Sequence, residues 1–137
     1  MTEYERARTM PALPEHTFDQ AADVDELNAW LPQGLNLETG ELPSVTVQEG
    51  ATHRDVPAIL HVHSERMRLE WGSRDEGGYT GWLQVTDTGS GVSEVTVHLS
   101  FTDGSHDPGE QAVHAALDGS LERLEEQVRL RIDNVAG

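Results

Sequence analysis

The chain has no cysteine and no lysine, only seven aromatic residues, and no long apolar run. The absence of cysteine excludes disulfides, cysteine-ligated zinc and thiol nucleophiles. At 137 residues the chain does not need such staples. A single domain of this size buries roughly 68% of its unfolded surface, enough for a core to hold it together. Its only cationic side chains at neutral pH are nine arginines, set against 25 aspartates and glutamates, for a net charge of −16. That balance repels phosphate backbones and anionic lipid, and no basic patch offsets it, so nucleic acid is not an expected partner. No apolar stretch approaches the ~18 residues of a spanning helix, so no membrane insertion is expected. The opening MTEYERARTMP is too charged for a signal peptide. The expectation is one cytoplasmic domain covering residues 1–137.

Residues 3–10, EYERARTM, read as an edge strand. Pro14 suits the first position of a short helix, and PEHTFDQAA carries Phe18, Ala21 and Ala22 towards a core. Asp23 and Glu26 form a capping-box-like start for a second short helix, DVDELNAWL, ended by Pro32 and Gly34. Beyond residue 34 the apolar period becomes two. Leu35 and Leu37, Val45 and Val47, the run 58–64, and Met67, Leu69 and Trp71 mark four strands. Tyr79, Gly81, Leu83 and Val85 mark a fifth, and Val95, Val97, Leu99 and Phe101 a sixth. Turn-forming clusters at 39–40, 49–50, 75–78 and 87–91 separate them, which predicts an antiparallel meander with one buried face. The last segment, 108–134, repeats Val113, Leu117, Leu121, Leu124, Val128 and Ile132 at helical spacing. Such a helix would span roughly 40 Å. Asp118-Gly119-Ser120 predicts a kink or break within it.

This order of elements resembles the START-like superfamily, also called SRPBCC, the polyketide cyclase and lipid-transfer group. The opening ALPEHTFDQAADVDELNAWLP carries the likeness through Ala12, Pro14, Glu15, Phe18, Asp23, Leu27 and Trp30. RLEWGSRDEGGYTGWLQV resembles the family's central hairpin, VSEVTVHLSF its last strand and LDGSLERLEEQV its closing helix. The likeness covers nearly the whole chain, but its motifs are structural and none is a catalytic fingerprint. It implies an α+β helix-grip fold: a curved seven-stranded antiparallel sheet, two short helices, and a long C-terminal helix packed across the sheet. It also implies an apolar cavity between sheet and helix that takes a small hydrophobic molecule, lipid or polyketide-like.

Facing decides the candidate residues. His61 and His63 share a face with Ile59, opposite Leu60 and Val62, so both are expected on the solvent side. No third ligand is fixed by local spacing, and His53 and His98 are no more than possibilities, so no metal and no cofactor are expected. Arg66 and Arg68 should also face out, beside Glu70. The inward set for ligand contact is Trp71, Tyr79, Gly81, Leu83, Val97, Leu99, Phe101, Leu117 and Leu121. Gly81 is expected to leave room in the cavity, and Gly119 to loosen a gate over it. Tyr79 is the main inward hydroxyl for acid chemistry and Thr9 a lesser one. Neither a Gly-x-Ser-x-Gly elbow nor a phosphate loop occurs. Three readings follow: a binder of a small hydrophobic ligand, a cyclase or dehydratase of polyketide type, and an interaction module offering a sheet edge or its acidic surface to a protein partner.

Overall fold

The computed structural model describes residues 2–23, 30, 35–39, 44–49, 54–73, 79–101 and 109–136, with side chains over 3–23, 30, 59–72, 80–100 and 109–132. Strand β1 (Thr2–Met10) leads into helix α1 (Pro14–Ala21). Strands β2 (Leu35–Thr39), β3 (Ser44–Glu49) and β4 (Arg54–His63) follow. A single 3₁₀ turn, Ser64–Arg66, joins β4 to β5 (Arg68–Ser73). Strands β6 (Tyr79–Gly89) and β7 (Val92–Phe101) precede the long helix α2 (Glu110–Ala136). The predicted second short helix lies outside the described residues, apart from Trp30.

The strands form one seven-stranded sheet in the order β1-β7-β6-β5-β4-β3-β2, antiparallel throughout. Strands β2 to β7 are the meander that the period-two runs predict. The remaining strand, β1, pairs with β7 and makes an edge, as expected of residues 3–10.

Local chemistry explains the connections. Pro14 opens α1 behind Leu13, and the Thr17 amide donates to the Leu13 carbonyl at 3.1 Å. The β6–β7 hairpin turns through three residues of positive φ, Gly89, Ser90 and Gly91, where glycine avoids the Cβ penalty. Asp87 Oδ1 accepts from the Gly89 amide at 2.8 Å, beside the bulge between Asp87 and Gly89. Met67 departs from the expected strand: it closes the 3₁₀ turn in a left-handed conformation, φ 52°, and β5 starts one residue later. The Gln84 side-chain amide holds that turn by donating to the Arg66 carbonyl at 2.7 Å.

Helix α2 runs unbroken through Asp118-Gly119-Ser120, contrary to the predicted interruption. Energies account for the difference. Glycine costs about 1 kcal/mol in a helix, whereas burying each leucine is worth about 1.5–3 kcal/mol. Leu117, Leu121 and Leu124 are all buried, and Ser120 is buried beside them, so burial on both sides of the glycine outweighs its cost. A Cβ on Gly119 would meet only the far end of the Arg123 side chain, at 3.3 Å. Gly119→Ala is therefore expected to stabilise the protein by about 0.5–1 kcal/mol, seen as a higher urea midpoint with an unchanged slope. A lower midpoint would mean that the helix needs its glycine.

Candidate functional site

The paired register assigns each side chain to a face. Tyr4, Leu99, Gly81, Trp71 and Leu60 lie side by side across β1, β7, β6, β5 and β4. Arg6, Val97, Leu83, Leu69 and Val62 form the next row on the same face. This inner face carries the core: Leu60, Leu69, Leu83, Val85, Val95 and Val97 cluster with Val113, Leu117, Leu121, Leu124 and Val128 of α2.

The helix backbone approaches one edge of that face most closely. It lies against β1 and α1. The Tyr4 ring meets His114 edge-on at 5.7 Å, Arg6 Nε lies 3.4 Å from Asp118, and Arg8 Nε lies 3.0 Å from Glu125. The helix residues His114, Asp118 and Glu125 fall within about 40° of one another around the axis, so α2 presents one polar stripe along β1. Burial works to raise the Glu125 carboxyl, but hydrogen bonds from Arg8 and Arg129, with their charges, hold it below its ordinary value. Arg6 Nε is buried outside hydrogen-bond geometry with any described residue, although Asp118 is within ion-pair distance.

This seam corrects the expectation of an almost wholly apolar inner face. Tyr4, Arg6 and Arg8 all share the face of Val95, Val97 and Leu99. Thr9 faces the other way, opposite Glu94 and exposed, so it is no inward hydroxyl. A signal was present in the sequence: EYERAR alternates Tyr4, Arg6 and Arg8 with Glu3, Glu5 and Ala7, and the helix carries acids at 118 and 125. Only the pairing of β1 with β7 shows which set turns inward.

Part of the inner face is less covered, although Leu60 and Leu69 on it are buried. Val62 is 36% exposed, and Met67, Trp71 and Leu99 are partly buried at the edge of the core. Of the predicted contact residues, Leu83, Val97, Leu117 and Leu121 are packed inside the core. Tyr79 pairs with Phe101, and both side chains lie outside the described residues. Gly81 does not leave the expected room. A Cβ there would fall 2.6 Å from the Trp71 indole, so the space above the glycine is already filled by that ring.

The outer face answers the question of the histidines. His61 is exposed and His63 half-buried, and their rings stack at 6.1 Å. Arg66 donates to His63 Nδ1 at 3.4 Å, which leaves Nε2–H to donate to Glu70 at 2.8 Å. Arg68 also donates to Glu70, at 2.9 Å, as its outward position predicts. That bond leads in holding the Glu70 carboxyl below its ordinary value, against desolvation and with help from His63. The Arg68 guanidinium covers Trp82 at 4.5 Å, and His98 stacks on Trp82 at 5.2 Å. His98 in turn approaches Glu5 and Glu3. The stripe is a surface network of ion pairs and stacked rings. Among the described residues, no group of three or more histidine, aspartate or glutamate side chains is arranged to hold a metal.

A meander sheet closed by one long helix places the chain among α+β domains of helix-grip type. The family model described as polyketide cyclase / dehydrase and lipid transport matches residues 1–129, and the chain belongs to that family. Solved structures agree on the fold. The di-domain ARO/CYC BexL of the BE-7585A biosynthetic pathway is 15% identical, with a TM-score of 0.73 over 95% of this chain and 47% of BexL. The chain thus spans about half the length of that relative. An uncharacterised protein from Bacillus thuringiensis is 15% identical, with a TM-score of 0.74 over 93% of this chain and 98% of its own. A START superfamily protein from Mycobacterium smegmatis is 10% identical, with a TM-score of 0.72 over 93% and 97% of the two chains. No curated protein matches the sequence. No described helix is long and apolar enough to cross a membrane.

Proposed function

We propose that this domain binds a small hydrophobic molecule, lipid or polyketide-like, against the inner sheet face around the partly open Val62 and Trp71. One observation carries the reading: the helix is moored by its polar stripe to β1, while Val62, Trp71, Met67 and Leu99 stay partly open on the same face. An apolar wall of this kind gains roughly 25 cal/mol for each Å² that a ligand removes from water, before ordering costs. The family's description, with its lipid transport, supports the same class of ligand.

The test is titration with the neutral apolar dye N-phenyl-1-naphthylamine, whose emission rises on leaving water. Val62→Asp sets an unpaired carboxylate against any bound apolar molecule, and it is expected to weaken dye binding at least tenfold. Because Val62 is 36% exposed, the stability loss should stay at about 1–2 kcal/mol, from weaker strand preference and lost burial, and leave the variant folded. No dye binding by the wild type, or equal binding by a folded Val62→Asp variant, would defeat the reading.

A second reading, a cyclase or dehydratase of polyketide type, needs an inward-facing acid–base group. Tyr4 on the inner face, buried against His114, favours it. These are the groups to vary if turnover of a poly-β-keto compound is found: Tyr4→Phe would then abolish turnover and spare dye binding.

A further inference from the structure

Trp30 is 4% exposed and belongs to the same apolar cluster as Leu83, Leu121 and Leu124, with Trp71 and Leu99 packed at its edge. Its indole Nε1 is buried and has no hydrogen-bond partner among the described residues. Indole N–H is a donor only, and buried tryptophans ordinarily find an acceptor, because an unmet buried donor loses its bond to water without replacement. The pyrrole edge of Trp30 is therefore a costly choice for a purely structural position. Phenylalanine or leucine would fill apolar space there without a donor to satisfy.

We infer that Trp30 Nε1 donates to an oxygen of the bound molecule, and that this donor selects neutral apolar carbonyl compounds over hydrocarbons and over carboxylates of the same shape. The inference rests on the binding reading above. A carbonyl is the class that fits. It accepts a hydrogen bond, carries no net charge, and enters apolar surroundings at far lower cost than an ion. A carboxylate would have to lose its hydration inside an apolar cluster and approach a chain of net charge −16. The donor acts as one of the few polar groups that orient a ligand within an apolar site.

The experiment compares three competitors of one shape, 2-acetylnaphthalene, 2-ethylnaphthalene and 2-naphthoate, for displacement of N-phenyl-1-naphthylamine. The readout is the ratio of the ketone's dissociation constant to that of the ethyl compound, in wild type and in Trp30→Phe. Removing one hydrogen bond should shift that ratio about threefold to tenfold against the ketone, while the ethyl compound's own affinity stays nearly constant. A second measurement needs no variant. Of the three indole N–H resonances of the wild type, the one absent from Trp30→Phe should move downfield with the ketone and not with the ethyl compound. If both neutral compounds bind and neither the ratio nor that resonance responds, the assignment of Trp30 is wrong and the binding reading stands. Tighter binding of the naphthoate than of the ketone would also overturn the carbonyl selectivity. Failure of all three to displace the dye, or of the dye to bind, would remove the binding reading and this inference with it.

Discussion

Leu124→Ala is expected to lower the unfolding free energy by about 2–5 kcal/mol, the range for deleting a buried leucine side chain. Leu124 is fully buried, between Leu121 and Val128 on the apolar stripe of α2, and it belongs to the cluster that includes Leu83 and Val95. The loss has two parts, the transfer energy of the missing methyl and methylene groups and the cavity left where the sheet cannot close up. A domain of this size holds only about 5–15 kcal/mol in all, so the variant should sit near the edge of folding. Urea denaturation measures it, with Leu130→Ala as the control. Leu130 is on the same helix but 52% exposed, and its truncation should move the midpoint very little. Equal midpoints for the two variants would mean that α2 does not hold the sheet through this stripe.

Gly81→Ala should produce the second large effect, although it adds a single methyl group. The new Cβ would fall 2.6–2.7 Å from Cε2, Nε1 and Cζ2 of Trp71, which sits directly across the β5–β6 pairing. Real contacts between such atoms lie near 3.5–4.0 Å, so the indole must move by about an ångström. Overpacking of this kind costs about 1–3 kcal/mol, against a gain of about 0.4–1 kcal/mol from a stiffer unfolded chain. The net result is destabilisation, and Gly81→Leu should be worse. A double-mutant cycle identifies the cause: in a Trp71→Ala background the same Gly81→Ala change should become neutral or favourable. If its cost is the same in both backgrounds, the glycine is required for some reason other than the indole.

These two substitutions lie on opposite sides of what can be read from residues in a line. The leucine stripe of α2 is visible in sequence because helical periodicity is local: each apolar residue follows its neighbour by three or four positions. Strand alternation is equally local, so the meander and the outward placement of His61 and His63 follow from period two and the intervening turns. The space above Gly81 is a different matter. A missing side chain looks like room until the residue across the ladder is known, and Trp71 reaches that space only because β5 pairs with β6 in one register.

Sequence by itself therefore determined the α+β class, the seven strands, the β6–β7 turn, the helix that closes the chain, and the family resemblance, because each depends on short-range periodicity and backbone chemistry. Tertiary structure decided the rest. Whether Arg6 and Arg8 turn inward depends on the β1–β7 register, and whether Gly119 breaks α2 depends on how much leucine is buried around it. That Trp30 Nε1 is buried with no partner among the described residues could not be known before the core around it was assembled. In each case the deciding energy comes from residues far apart in the chain, and alternation along a single strand or helix carries no record of them.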